Sequence, residues 1–248
     1  MQIISLSEGT FSIDGSKKFI PFNIEKDSLK DRPAGSILVE INPFCVITKN
    51  DVILIDTGLG YSTADGTLQI HQNLLNNGIS PMDVTMVLLS HLHKDHAGGV
   101  TIEDKLLNQS FFSFPNAAYY LNEKELAYGI EKNGKSYVAS EFSILQNAGN
   151  VELLPEEGGI IEGYIRYAHS GAHCPHHIVF WIEEDGETIF FGGDEAPQLQ
   201  QMKNKFIAKY DHNGKKAMEL RQQWWEEGQQ NNWTFLFYHD GKTPFISL

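Results

Sequence analysis

The stretch His91-Leu92-His93-Lys94-Asp95-His96 sets three imidazoles and one carboxylate within six positions. Imidazole nitrogens and ionised carboxylates are the donors that zinc, manganese and iron accept from proteins. The stretch follows the apolar run Val84-Thr85-Met86-Val87-Leu88-Leu89, which reads as a short buried strand. With the backbone still extended beyond it, His91 and His93 lie two apart and project to one side, where they could share one ion. Asp95 and His96 come next. Gly98-Gly99 permits a tight turn that would aim them into the same cavity from another direction, onto a second ion. For such a motif alone, a solvated polar turn after a core strand is the competing reading. Ligand-type residues elsewhere decide between the two.

Those residues recur at the ends of other apolar runs. Residues 52–55 lead to Asp56-Thr57-Gly58, 188–191 to Gly192-Gly193-Asp194, and 233–238 to His239-Asp240-Gly241. Residues 160–168 run into His169-Ser170-Gly171-Ala172-His173-Cys174-Pro175-His176-His177. Side chains just past a strand end leave the core without breaking the backbone ladder, so ligands gather there in open sheets. The regular order of strand and then ligand therefore favours one metal site over scattered polar turns.

The remaining elements must hold these ends together. Residues 3–13 and 18–22 read as strands around the Asp14-Gly15 turn, and 36–41 and 44–48 as strands separated by Asn42-Pro43. Between them, residues 23–35 are polar and punctuated by Pro33 and Gly35, an inert connection with a lid over the site as the other reading. Leu68, His71, Leu74 and Leu75 have helical spacing, with Gly78 as a left-handed cap, and His71 belongs to that helix face rather than to a metal. Residues 117–121 form a strand, and Asn122 with Glu125 resembles a capping box that opens a mostly helical stretch to residue 150. Tyr119, Tyr120, Tyr128, Tyr137 and Phe142 read as core or helix-face packing. Asp185-Gly186 marks a hairpin between 178–183 and 188–191. Two helical patterns follow within 198–230. The second carries Ala217, Leu220 and Trp224, closes at Gly228, and packs Trp224 and Trp225 onto a sheet.

Composition narrows the partners. The 248 residues carry a formal net charge of −13 and no basic tract longer than Lys17-Lys18 or Lys215-Lys216, which excludes the electrostatic footprint of a nucleic-acid binder. No run approaches the roughly eighteen consecutive apolar residues of a membrane span, and the opening residues lack a basic and apolar secretory leader. Two cysteines, Cys45 and Cys174, make neither a disulfide framework nor a cysteine-rich zinc site, so a reducing cytoplasm is expected. Cys45 reads as a small buried hydrophobe.

Taken together, the motifs resemble the metallo-β-lactamase superfamily of metal-dependent hydrolases over nearly the whole chain. His91-Leu92-His93-Lys94-Asp95-His96 matches its His-x-His-x-Asp-His signature, and Asp56-Thr57-Gly58 its Asp-Thr-Gly. Residues 170–177 resemble its Thr-Pro-Gly-His-x-Pro-Gly-His segment, with Gly171 for the first proline and Ala172 and His176 for two glycines. The resemblance implies an αβ/βα sandwich: two mixed sheets face to face with helices outside. It implies one domain over residues 1–248, with pseudo-symmetric halves at about 1–115 and 150–248 joined by a helical segment.

Carried over by position, His91, His93 and His173 would bind one metal, Asp95, His96 and His239 the other, and Asp194 would bridge them. Asp56 would orient a ligand imidazole through its free N–H. His169, His176 and His177 would support the site or face solvent, and Cys174 has no metal role. The ions are expected to be two divalent cations, zinc first, with manganese or iron also compatible. The implied chemistry is attack by a metal-bridging hydroxide on a small-molecule ester, a lactone or carboxylic ester first, with Asp95 passing a proton to the leaving group. A phosphoester hydrolase and an iron dioxygenase of the same fold are the alternatives. The late His239 resembles the lactonase and organophosphate-hydrolase branches, although Pro197 stands where such lactonases carry a tyrosine.

Overall fold

A computed structural model of the protein describes residues 1–104, 107 and 109–248. Two mixed six-stranded sheets form its centre. In the first, the strands run in the order Gln2–Ser5, Phe44–Ile47, Val52–Ile55, Met86–Leu88, Ala118–Asn122 and Val151–Leu154. Its last three pairings are parallel, joined through helices, and its first two are antiparallel. The second sheet follows chain order: Gly159–Ile161, Ile165–His169, Ile178–Glu184, Glu187–Phe191, Thr234–Leu236 and Phe245–Ser247.

Alternation along each strand builds the layers. Ile53, Ile55, Met86 and Leu88 from one sheet meet Phe180, Ile182, Ile189 and Phe191 from the other in a single core between the sheets. The intervening Leu54 and Val87 point the opposite way, onto Ile70 and Leu74 of helix Gln69–Asn76 and Leu126 of helix Glu123–Glu131. Likewise Val179, Trp181, Phe190 and Phe235 turn outward onto Leu199, Met202 and Trp224 of helices Leu199–Lys203 and Gly214–Asn231. Strands apolar on both faces must be covered on both faces, which is why they read as continuous apolar runs. The result is the αβ/βα sandwich implied by the sequence resemblance. No helix among the described residues is long and apolar enough to cross a membrane.

Several local expectations need correction. Residues 3–13 do not form one strand. Gln2–Ser5 joins the first large sheet, whereas Gly9–Ile13 pairs with Phe19–Pro21 and Ile37–Ile41 in a separate three-stranded sheet. Gly9, at φ +108°, adopts a backbone conformation open to glycine where the chain changes sheet. Leu75 is 49 % exposed and stands off its helix, so the buried face there is Ile70 and Leu74, with His71 edge-on to Phe114 at 5.1 Å. Asp185 and Gly186 do make the hairpin turn, both in the left-handed region that such two-residue loops require.

Gly228 does not close its helix. The helix runs on to Asn231 and ends on Asn232 in the left-handed conformation. A Cβ at Gly228 would lie 2.3 Å from the Phe235 ring, so this glycine lets helix and sheet approach. Phe235 is fully buried and has no room to yield. Gly228→Ala should therefore destabilise the fold by about 1–3 kcal/mol, read as a lowered urea midpoint. An unchanged midpoint would show that the helix can slide outward freely.

Candidate metal centre

The site lies where strand ends from both sheets converge. Past Val52–Ile55, the fully buried Asp56 takes a left-handed φ of +55°, strain of the kind that persists only where surrounding bonds impose it. Those bonds are present. Asp56 Oδ1 accepts from Ser90 N at 2.8 Å, and Oδ2 accepts from Ser90 Oγ at 2.8 Å and His96 Nδ1 at 2.7 Å. The carboxylate thus ties the end of one strand to both ends of the His91–His96 motif. Thr57 adds a backbone N–H bond to His96 O at 2.6 Å.

The glycines after the motif have a different reason from the one expected. His93 caps the one-turn helix Lys94–Ala97, a 3₁₀ turn Gly98–Val100 follows, and Gly98 has an ordinary right-handed φ of −60°. What excludes a side chain is proximity. A Cβ on Gly99 would lie 2.2 Å from Thr57 O, and one on Gly98 2.5 Å from the Leu59 carbonyl. The motif can press against the 56–60 loop only through bare backbone.

Five imidazoles and two carboxylates then meet. His91 Nε2 and His173 Nε2 lie 3.0 and 3.2 Å from His93 Nδ1, and His173 Nε2 lies 3.2 Å from Asp194 Oδ2. On the other side, His96 Nε2 and His239 Nε2 lie 3.2 and 2.9 Å from Asp194 Oδ1, and 3.8 and 3.6 Å from Asp95 Oδ2. Each oxygen of Asp194 therefore faces a different histidine set.

The outer nitrogens settle which ring atoms face inward. His91 Nδ1 bonds Ser90 Oγ at 3.0 Å, His173 Nδ1 bonds Asp211 Oδ1 at 3.0 Å, and His239 Nδ1 donates to the Glu40 carbonyl at 2.7 Å. With His96 on Asp56, four rings thus meet a partner through Nδ1 and turn Nε2 toward the centre. Two of the inward atoms, His96 Nε2 and Asp194 Oδ1, are buried and without a hydrogen bond. This set of inward-facing imidazole nitrogens and carboxylate oxygens suits divalent cations.

Electrostatics agrees with that donor set. Burial, reinforced by neighbouring imidazoles, holds His91 and His93 well below the usual histidine range. Burial acts in the same direction at His96 and His239, but Asp194 and Asp95 outweigh it and raise both. Asp194 is buried yet held well below the usual carboxylate range by His239, His96 and His173. This spot demands positive charge, for which protons and metal ions compete.

Of the neighbouring histidines, His177 is fully buried, bonds Ser170 Oγ at 2.8 Å and accepts from Asp194 N at 3.2 Å, so it braces the Asp194 turn. His169 and His176 lie apart with Glu156, where His169 Nε2 meets Pro175 O and His176 Nδ1 meets Glu156. Cys174 belongs to none of the ligand-type clusters among the described residues, and its Sγ lies 3.7 Å from Glu125. Tyr137, read from sequence as packing, is buried and also sets its ring 4.7 Å from His93.

Supporting residues beyond the motifs carry no sequence signal of their own. Asp211 sits in the polar run Lys209-Tyr210-Asp211-His212-Asn213, which looks like surface. Glu195 Oε1 accepts from the backbone N–H groups of Ala172 and His173 at 2.7 and 2.8 Å. Tyr238 stacks on His96 at 4.1 Å and donates to Asp95 O at 2.6 Å. Glu8 is buried, accepts from Leu59 N at 2.7 Å and lies against Gly58, supporting the loop after Asp56. A cavity of about 710 Å³ opens onto His93, Asp95, His173, Asp194 and His239.

Residues 37–226 match the family model described as the metallo-beta-lactamase superfamily. The chain belongs to the metallo-beta-lactamase superfamily. The matched span contains every residue of the cluster except His239. An atrochrysone carboxyl ACP thioesterase from Passalora fulva is 27 % identical over 154 residues, 62 % of this chain, and the chain spans only 37 % of the length of that curated relative. Among solved structures, a probable metal-dependent hydrolase from Staphylococcus aureus superposes with a TM-score of 0.79 at 21 % identity, covering 99 % of this chain and 91 % of that one. AidC, a dizinc quorum-quenching lactonase, superposes at 0.70 with 19 % identity, over 98 % and 88 % of the two chains. The hydrolase AbOPH superposes at 0.73 with 21 % identity, over 100 % and 93 %. At these identities the structures speak for the shared superfamily fold.

Asp211→Ala should free the His173 ring and weaken zinc binding by about 10–100-fold, measured by competition with a chromogenic chelator; unchanged affinity would mean that the ring is held by its other contacts. A pH effect follows from Glu8, whose carboxyl burial pushes up to about 8 from its ordinary 4.5. The folded chain keeps a proton that the unfolded chain releases, so this contribution to stability is complete below pH 4.5 and is lost as pH rises toward 8. Glu8→Gln should remove that decline. The melting temperature of the variant should gain on the wild type between acid and mildly alkaline pH, and parallel curves would refute the assignment.

Proposed function

We propose that the protein is a dinuclear metal-dependent hydrolase that cleaves a small-molecule ester, with lactones and carboxylic esters first in line. The observation that carries this reading is the placement of Asp194, one oxygen toward His173 and the other toward His96 and His239. A carboxylate so placed would offer one oxygen to each of two ions. His91, His93 and His173 would hold one ion, Asp95, His96 and His239 the other. Two such ions, when bound, supply Lewis acidity toward a carbonyl oxygen and an activated water at neutral pH. Nothing in the donor set separates zinc from manganese or iron, and zinc is the first choice for an imidazole-rich site.

The chain's own groups account for the rest. His173 and Asp95 both line the cavity, on opposite flanks of Asp194, so an acyl group lying against Asp194 is held between them. Asp95 is buried to within 8 % of full enclosure yet reaches the cavity, so its carboxylate can carry a proton to the departing oxygen. Tyr238 donates to its backbone carbonyl at 2.6 Å, which fixes the turn that carries the carboxylate. The cavity lining includes Pro197, and no tyrosine stands three residues after Asp194 to steady a lactone. The thioesterase relative extends the reading to thioesters, whose acyl transfer to water needs the same groups.

The test is metal quantification on freshly purified protein, followed by a panel of esters, lactones, thioesters and phosphoesters with that metal restored. Two divalent ions per chain and turnover of an acyl ester are expected. His93→Ala and Asp194→Ala should abolish turnover while circular dichroism stays native. Turnover surviving in metal-free protein would sink the proposal, and one iron per chain with oxygen uptake would replace it by dioxygenase chemistry.

A further inference from the structure

We propose that the cavity selects substrates carrying a carboxylate at the end of an apolar chain, received by Lys17 and Arg32. This rests on the hydrolase reading and deepens it. In a chain of formal net charge −13, the wall of this cavity nevertheless includes three cations, Lys17, Arg32 and Lys94. The carboxylates of the same wall are committed elsewhere: Asp95 and Asp194 to the histidines of the centre, Asp211 to His173. Among the described residues neither Lys17 nor Arg32 forms an ion pair. Two unneutralised cations in a concave, partly apolar wall attract an anion more strongly than they would on an open surface.

The backbone shows what it costs to put Lys17 there. Asp14-Gly15-Ser16-Lys17 forms the tip of the hairpin between Gly9–Ile13 and Phe19–Pro21, closed by Lys17 N donating to Asp14 O at 3.0 Å. Lys17 itself sits at φ +58°, a position where glycine is cheaper by about 1 kcal/mol. The tip is held down. Lys94, between the two halves of the ligand motif, donates through Nζ to the Lys17 carbonyl and lies over the Phe19 ring at 5.3 Å.

Arg32 comes from the polar segment 23–35, whose role the sequence left open between connection and lid. Its Nη2 donates to Ser36 O at 2.7 Å and its Nε to Ser36 Oγ at 3.3 Å, so neutral oxygens set the guanidinium against the cavity. The same cavity wall also carries apolar side chains, Ile13, Phe19, Ile37 and Val39 of the small sheet together with Phe206. An acyl chain with its carbonyl at Asp194 would lie against those side chains in the same cavity as the cations. A neutral chain would leave them unpaired.

The test compares two non-hydrolysable ligands of matched length, adipic acid monoanilide with its terminal carboxylate and neutral hexananilide, by calorimetry on the metal-loaded full chain. The monoanilide should bind about tenfold more tightly at low ionic strength, and the gap should close in high salt. Lys17→Gly, which removes the ammonium while relieving the left-handed backbone, and Arg32→Ala should each narrow it. A purely structural Lys17 would predict a more stable Lys17→Gly variant with the preference intact. Equal affinities in the wild type, or a preference that survives both substitutions because the carboxylate lies on the ions instead, would overturn the proposal. Because binding needs no turnover, a preference found in a protein that cleaves no ester would count against the hydrolase reading alone, and turnover of neutral esters without a preference against this one alone.

Discussion

A buried imidazole can offer a bare nitrogen to a cavity only if its other nitrogen finds an acceptor for its proton. That constraint governs this molecule. His91 meets it through Ser90, His96 through Asp56, His173 through Asp211 and His239 through the Glu40 carbonyl. All but Ser90 lie far along the chain from the histidine they hold, so the cluster cannot form until those segments are packed together. Asp56 bears most of this demand, because it also receives both donors of Ser90.

Burying so many polar groups is expensive unless each is paired, and the fold provides the pairs with backbone as well as side chains. Glu195 collects the N–H groups of Ala172 and His173, Glu125 that of Leu92 and Glu8 that of Leu59. These three buried acids hold the loops, and the loops hold the ligands. Arg221, fully buried in helix Gly214–Asn231, reaches the Glu195 carbonyl at 2.8 Å and so links the outer helix to the same network. The apolar layers do a different job: they fix where the strands end. Sheets covered on both faces leave their C-terminal edges as the place where polar side chains can gather.

The three-stranded sheet adds what the sandwich lacks. It stands beside the metal centre, supplies an apolar wall and brings Lys17 to the cavity from a hairpin pinned by Lys94. The motif that carries the candidate ligands therefore also anchors one wall of the cavity. Lys94 connects the two through a single hydrogen bond and a ring contact.

Much of this was legible in one dimension. Apolar runs ending in His or Asp announce strands that deliver ligands, because a fully buried strand needs no polar alternation and its first polar residues mark the edge of the core. Hence the strands before Asp56, His91, Asp194 and His239 and the dense histidine motif could all be read in order. Local signals misled where a residue answers to a neighbour distant in sequence. Gly98 and Gly99 are small because the 56–60 loop lies against them, and Gly228 because Phe235 does. Residues 3–13 divide between two sheets, which periodicity within the segment cannot express. The tertiary structure alone decided that Asp211, Glu195, Glu8, Lys17 and Arg32 belong to the site or its cavity. Their sequence surroundings are those of ordinary polar residues, and only burial and a partner far along the chain set them apart. Covalent order determined which groups could bind a metal; their partners, and hence which nitrogen each imidazole turns inward, exist only once the chain has folded.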